Sequence, residues 1–309
     1  MSLLAEKYKK LDEDSLWVLY IIESNLKNYE YVPVRIIAKK TRFPPKKLDA
    51  ILGFLNSEKL IRRRVGYEVG YTLTIMGLDM LAINALVKKG VLEALGDKIG
   101  VGKESDIYEA LTPEGERVAL KLHRVGRRSF RRTVILRPYV LERETKDWLS
   151  ESKLSAQREY RALEELSKLT DYVPKPIGYN RHAVVTSFID GVELYRVGSL
   201  SDPEDVLSKI ISVVDTAFNE VGIVHGDLSE YNIIIEYPEE KPSLIDWPQY
   251  FYRDHPAAIK MLERDVYYVV RYFNKKYRTK IDWKHVVNTI LAKHKQSPSI
   301  KGEKMHGAK

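Results

Sequence analysis

Apolar residues recur at helical spacing early in the chain. Leu48, Ile51, Leu52 and Leu55 stand at i, i+3, i+4 and i+7, which predicts an amphipathic helix over 45–57 with proline near its start. Leu16, Leu19 and Tyr20, with Ile22 or Glu23 at the stripe edge, predict an earlier helix over 12–28, and 34–40 reads as a short one between them. Strand patterning then takes over at 61–65 and 67–73, broken by Gly66 and Gly70. Three helices and a β-ribbon describe a winged helix. A further helix over 75–88 leads through Lys88-Lys89-Gly90 into a second part of the chain.

That second part opens with glycine-punctuated strands. Ile99-Gly-Val-Gly-Lys-Glu-Ser105 precedes one strand and Val118-Ala-Leu-Lys121 lies in the next. Glycines let backbone amides approach phosphate oxygens, and Lys121 supplies a positive charge for them. A helix follows over 152–168, with Tyr160, Leu163 and Leu166 on one face and Glu159 as the carboxylate to orient Lys121. Farther on, Asn232-Ile-Ile-Ile-Glu-Tyr237 reads as a strand, Pro238-Glu-Glu-Lys-Pro242 as a turn, and Ser243-Leu-Ile-Asp246 as the return strand. Pairing Glu236 with Ser243 sets Asp246 almost opposite Asn232. Asp227 precedes Asn232 by five, the D-x-x-x-x-N spacing that pairs a catalytic aspartate with a metal-binding amide. Together these residues outline a magnesium-dependent phosphoryl-transfer site.

Composition narrows the class. A length of 309 residues suits about two domains. No apolar run reaches the roughly 18 residues that a membrane span needs, and the N-terminus lacks a secretory pattern, so a cytoplasmic protein is expected. With no cysteine, disulfides and cysteine metal sites are excluded; with 30% charged residues, this suits a heat-adapted source. The net charge of +8 favours an anionic partner. Arg124, Arg127, Arg128, Arg131 and Arg132 fall in one acid-free stretch, and Lys293, Lys295, Lys301, Lys304 and Lys309 lie in a polar tail expected to be disordered. In the winged helix, Lys46, Lys47 and Arg62-Arg63-Arg64 could meet phosphates. The 45–57 helix offers few side chains for reading base edges, so sequence-specific DNA binding is not expected.

The motifs resemble the RIO family of atypical protein kinases, in its winged-helix-bearing, archaeal form. The matching phrases are Gly100-Val-Gly-Lys-Glu-Ser105, Leu120-Lys-Leu-His-Arg124, His225-Gly-Asp-Leu-Ser-Glu-Tyr-Asn232, Ile245-Asp-Trp-Pro-Gln249 and Glu263-Arg-Asp-Val266. The chain departs from ordinary protein kinases at Gly226, where those carry Arg, at Ser105 in place of a third glycine, and at Trp247-Pro248 in place of Phe-Gly. Asp265 follows Asp246 by only 19 positions, which leaves no room for an activation segment or a peptide-docking platform.

The resemblance implies an α+β fold: a winged helix (1–84), a linker (85–93), and a compact bilobal kinase. Its small antiparallel-sheet lobe (94–188) carries a basic flexible loop at about 124–150. A mainly helical lobe (189–290) follows, then a disordered tail (291–309), with ATP held between the lobes. It implies ATP with magnesium, or manganese in its place, bound by the loop Gly100, Val101, Gly102, Lys103, Glu104 and Ser105. Lys121 and Glu159 serve the phosphates, Asn232 and Asp246 hold the metal, and Asp227 is the catalytic base. His123 and Tyr231 could reach the terminal phosphate or simply pack. Tyr172–176 would line the back of the pocket, and Ser187, Phe188 and Ile189 would read adenine. Asp246 is implied as a transient phosphoryl acceptor; Ser129 and Thr133, in the basic stretch near the site, are candidate self-phosphorylation positions, although hydroxyls in surface loops are common. The implied role is serine/threonine kinase or ATPase in maturation of the small ribosomal subunit, whose precursor is the expected partner through RNA or protein. A small-molecule phosphotransferase of the aminoglycoside or choline kinase type, and a nucleic-acid-binding regulator with a vestigial kinase part, are the alternatives.

Overall fold

The computed structural model describes residues 2–102, 104–125 and 141–296; the side chains of 141–148 and 295–296 lie outside that description. The described chain forms two compact units, residues 1–161 with 175–188, and residues 162–174 with 189 onward.

The first unit begins with α1 (Leu3–Lys9), which the apolar pattern did not predict, and α2 (Glu13–Asn25). Asp12 caps α2 by accepting the Ser15 N–H at 2.8 Å. A two-residue strand β1 (Val32–Pro33) leads into α3 (Val34–Thr41) and α4 (Pro45–Ser57), and β2 (Ile61–Val65) and β3 (Val69–Leu73) form the wing. The strand order is β1-β3-β2. Gly70 lies inside β3 and does not break it. The chain before β1 comes so near that a Cβ on Gly70 would stand 2.9 Å from the Tyr31 Cβ.

α5 (Ile75–Lys88) carries the chain to a five-stranded antiparallel sheet: β4 (Ala94–Val101), β5 (Ser105–Leu111), β6 (Arg117–His123), β7 (Pro176–Asn180) and β8 (Ala183–Ser187), in the order β4-β5-β6-β8-β7. Strand alternation makes this sheet two-faced. Val118, Leu120 and Leu122 of β6 join Ala183 and Val185 of β8 in a core shared with Leu19, Ile22 and Leu52 of the helices and with Leu81 and Leu86 of α5. Each such fully buried side chain contributes about 1.5–3 kcal/mol. Lys121 and His123 are thereby turned to the opposite face, with Ile107 and Ser105 directly across from them on β5.

α6 (Leu141–Leu166) starts at Leu141 and not near Ser152, so residues 141–150 of the expected flexible loop are helical. Charged residues such as Glu142 and Lys146 dominate this stretch and read as loop, although they are also good helix formers. Leu163 and Leu166 at its end enter the core of the second unit, whereas Tyr160 stacks on Tyr179 at 4.7 Å in the first, so the three do not share a single core.

The second unit contains β9 (Gly191–Glu193), α7 (Pro203–Thr216), a π-turn at Ala217–Val221, β10 (Ile223–Val224), β11 (Ile233–Glu236), β12 (Lys241–Leu244), β13 (Phe251–Tyr252), α8 (Ala258–Lys276) and α9 (Trp283–Gln296). Phe218, Trp247 and Phe273 are its largest fully buried side chains. The β11–β12 hairpin has a tighter register than its sequence suggests: Glu236 pairs with Lys241, and Pro242 sits within β12 opposite Ile235. Pro242 is tolerated there because β12 is an edge strand, in the order β12-β11-β9. α9 takes in residues 291–296 of the segment expected to be a tail; residues 297–309 lie outside the described residues. No described helix is long and apolar enough to cross a membrane.

Candidate active site

In the first unit the glycine loop joins β4 to β5. The Gly102 N–H donates to the Ser105 carbonyl at 2.9 Å, and a Cβ on Gly102 would stand 2.9 Å from Ser105 Oγ. The Glu104 carbonyl accepts the Arg124 N–H at 2.6 Å, which ties the loop to the end of β6. Gly102 therefore packs on Ser105, Gly100 and Val101 pair with Ile107 and Asp106 of β5, and Lys103 lies outside the described residues.

Lys121 Nζ donates to Glu159 Oε1 at 2.7 Å, and His123 Nε2 lies 2.7 Å from Glu159 Oε2 without hydrogen-bond alignment. Glu159 on α6 is buried between them. Burial alone would push its carboxyl up, but the Lys121 ammonium and His123 outweigh it and hold the group down at about 2. A charged Lys121 is thus fixed on the polar face of the sheet, in line with Ser105. At the end of β8, the Ser187 hydroxyl accepts the Lys175 N–H at 2.9 Å, which commits that side chain inside the sheet. The Arg117 guanidinium lies 4.0 Å over the Phe188 ring. Phe188 and Ile189 flank the boundary between the two units.

In the second unit a short loop carries the other predicted residues. His225 Nε2 donates to the Ile245 carbonyl at 3.0 Å, its Nδ1 accepts the Asp227 N–H at 3.3 Å, and its ring packs at a tilt against the buried Trp247, centroids 4.5 Å apart. This bridge holds the Asp227 loop against the hairpin. Gly226 has φ +80°, and a Cβ there would meet the Gln249 carbonyl at 2.7 Å and the Phe251 ring at 2.8 Å. An arginine at 226, as ordinary kinases have, cannot be accommodated in this loop.

Asn232 donates its side-chain N–H to the Asp227 carbonyl at 2.7 Å, which leaves its Oδ1 as the acceptor that can face a cation. Its own carbonyl accepts the Ile245 N–H at 3.0 Å, so Asp246 follows directly after the residue paired with Asn232. Asp246 itself stands at φ +68°, the left-handed region that Asp tolerates better than most side chains. Among the described residues no three His, Cys, Asp or Glu converge as a metal cage. One amide and one carboxylate are instead the donor set that suits Mg²⁺, which keeps waters and substrate phosphates as its other ligands. Tyr231 is exposed and packs at a tilt against Tyr195, centroids 4.9 Å apart. Tyr172 packs on the core of this unit, and its carbonyl accepts the Leu244 N–H.

Three contributors were invisible as such in the sequence. Asp265 on α8 is buried and accepts the N–H groups of Gly226 at 2.7 Å and Leu228 at 3.2 Å, bracketing Asp227. Burial pushes its carboxyl up, against the pull of His225, the Gly226 N–H and Arg264. Arg264 donates to the Gly226 carbonyl and lies 3.9 Å from Asp227 Oδ1. Glu263-Arg-Asp-Val266 was part of the resemblance, and the 38-residue separation from Gly226 hid what it does. Third, Arg124 does not face a polyanion: it is buried and donates to both oxygens of Asp79 at 2.8 Å. Arg127, Arg128, Arg131, Arg132, Ser129 and Thr133 lie outside the described residues.

The model of the RIO domain matches residues 106–286, and that of the Rio2 N-terminal domain matches residues 8–89. The chain belongs to the RIO family of kinases. It is 39% identical over 271 residues to the RIO-type serine/threonine-protein kinase Rio2 of Methanocaldococcus jannaschii, covering 86% of this chain and 98% of that one. It is 35% identical to the serine/threonine-protein kinase rio2 of Dictyostelium discoideum over 90% of this chain, which spans only 53% of that relative. In structure it resembles the Rio2 kinase of Chaetomium thermophilum, solved as an ADP/Mg²⁺-phosphoaspartate complex, with a TM-score of 0.80, 32% identity, and 92% of this chain and 88% of that one covered. RIO membership accounts for the short span between Asp246 and α8, and for a winged helix joined to a kinase fold.

Proposed function

We propose that this RIO kinase transfers the γ-phosphoryl group of ATP with magnesium, as an atypical serine/threonine kinase that phosphorylates itself, as an ATPase, or as both, in maturation of the small ribosomal subunit. The observation that carries the chemistry is the gathering of Asp227, Asn232 and Asp246 by the His225 bridge onto one loop and hairpin. Lys121, held in place by Glu159, meets nucleotide phosphates. Asn232 Oδ1 and Asp246 hold magnesium, which neutralises phosphate charge when bound. Asp227, its backbone pinned by Asp265, orients or deprotonates the attacking hydroxyl or water.

The phosphoaspartate in the Chaetomium relative supports a covalent route at Asp246. An Asp246 carboxylate oxygen attacks the γ-phosphorus, the bond from that phosphorus to the β–γ bridging oxygen breaks, and ADP leaves with its electron pair. Water then cleaves the acyl phosphate to inorganic phosphate and restores the carboxylate. Incubation with γ-labelled ATP tests this: hydroxylamine-labile label on the wild type, absent from Asp246→Asn, is expected. Only hydroxylamine-resistant label, on Ser129 or Thr133 for example, would exclude the aspartyl route.

The net charge of +8 and the exposed Arg62 and Arg63 of the wing support a ribosomal precursor as the partner, with which a cytoplasmic location agrees. Lys47 is less available than its sequence suggests: it pairs with Asp14 at 2.6 Å and lies over the Phe43 ring. Purified small-subunit precursors should raise phosphate release; unchanged release would contradict that partner.

A further inference from the structure

The second unit carries a basic, aromatic-lined groove that the phosphoryl-transfer machinery does not use. Tyr267, Arg271, Asn274 and Lys275 of α8 and Trp283 at the start of α9 line an open cavity of about 510 Å³. That volume is ample for a small planar ligand, for which pockets of roughly 300–1,000 Å³ are usual. Tyr267 meets Trp283 edge-to-face, with centroids 5.4 Å apart. The Arg271 guanidinium lies 5.7 Å from the Tyr267 ring centre, and Lys284 Nζ lies 5.8 Å from that of Trp283. The connection between the helices is rigid. Asn274 donates to the Ile281 carbonyl at 2.9 Å, and its Oδ1 accepts Thr279 Oγ1 at 2.6 Å and the Ile281 N–H at 3.1 Å.

Charge around this groove is one-sided. From Arg271 to Lys284 the chain has Arg271, Lys275, Lys276, Arg278, Lys280 and Lys284 against Asp282 alone. Asp282 is spent on capping α9, where it accepts the Lys284 N–H at 2.9 Å. Arg271, Lys275, Arg278, Lys280 and Lys284 form no ion pair with a carboxylate among the described residues. Three of these cations, Arg271, Lys275 and Lys284, stand beside the two aromatic rings, an arrangement suited to a strand that offers both phosphates and unstacked bases.

We propose that this groove is a binding site for single-stranded RNA, with a base against Tyr267 or Trp283 and phosphates on Arg271 and Lys275. It deepens the RNA-facing part of the reading above and needs no phosphoryl transfer. A paired stem fits less well, because stacking hides its base faces from aromatic side chains. An acidic peptide would satisfy the cations and leave the rings without a partner.

The test uses the full chain with a fluorescein-labelled oligouridine twelve-mer, an RNA duplex of equal length and a polyglutamate peptide, each titrated at several salt concentrations. Arg271→Ala/Lys275→Ala should weaken oligouridine binding and lower the salt slope by about 0.7 for each cation removed. Tyr267→Ala should weaken it roughly 5- to 150-fold with the slope unchanged. A 4-thiouridine probe should photocrosslink to Tyr267 or Trp283, and thermal melting confirms that each variant folds. Unchanged affinity and slope in the double variant, equal losses for polyglutamate or duplex, or crosslinks only elsewhere would overturn the assignment. Phosphate release without RNA is read separately, so a failure of phosphoryl transfer and a failure of this site are told apart.

Discussion

Arg124 and Asp79 form a two-pronged, buried ion pair, each Nη 2.8 Å from its own carboxylate oxygen, that ties α5 of the winged helix to the end of the strand carrying Lys121. Asp106 adds a third contact at 3.2 Å to Arg124 Nε. Burial works against both charges, and the pairing outweighs it, lowering Asp79 and raising Arg124. Asp79→Ala or Arg124→Ala leaves an uncompensated charge in the core and should destabilise by about 3–5 kcal/mol. Chemical denaturation of the first unit checks this, and a loss near that of a surface pair, under about 1 kcal/mol, would contradict it.

His182 turns this network into a source of acid sensitivity. Its Nε2 lies 2.7 Å from Asp79 Oδ1 in a fully buried position. Burial outweighs the pull of Asp79 and holds the imidazole below its ordinary value. The unfolded chain then binds the proton near pH 6.5 while the folded one does not, so stability is full above about 6.5 and falls as pH drops through the lowered folded value. Asp79 and Glu159 are depressed as carboxylates, and their contributions fade only farther down, for Glu159 between about 4.5 and about 2. Melting temperature between pH 7 and 5 should fall for the wild type and fall less for His182→Gln; parallel curves would contradict the assignment.

Gly226→Ala tests the backbone of the catalytic loop. The left-handed φ and the contacts near 2.7 Å predict about 1–3 kcal/mol of strain or a displaced Asp227. Turnover should collapse with modest loss of melting temperature, and a fully active Gly226→Ala would show that the loop tolerates a side chain.

Glu159→Gln keeps the shape beside Lys121 and removes the charge that fixes it. Turnover should fall by about 10²–10³, the range for losing one electrostatic stabiliser. Lys121→Met should do the same, and the double variant should lose little more than either single, since the two act as a unit. Fully multiplicative losses would contradict that coupling.

Local patterns were legible where burial repeats with a fixed period. The stripe of Leu48, Ile51, Leu52 and Leu55 is enough to specify α4, and alternation in β6 is enough to turn Lys121 away from Leu120 and Leu122. What depends on distant partners was not. Arg124 reads as one of many cations in a basic stretch, and only the fold brings it to Asp79, 45 residues away. Pro242 suggests a turn, and only the edge position of β12 makes it a strand residue, which shifts the hairpin register. The charged run after Leu141 continues a basic stretch and reads as loop, although its residues are good helix formers.

Titration calorimetry with ATP tests the central claim most directly, run with magnesium and with a chelator on the wild type and on Asp246→Asn. One site per chain whose affinity depends on magnesium in the wild type, and loses that dependence in Asp246→Asn, is the predicted result. Heat that is absent, or identical with and without the metal, would contradict it.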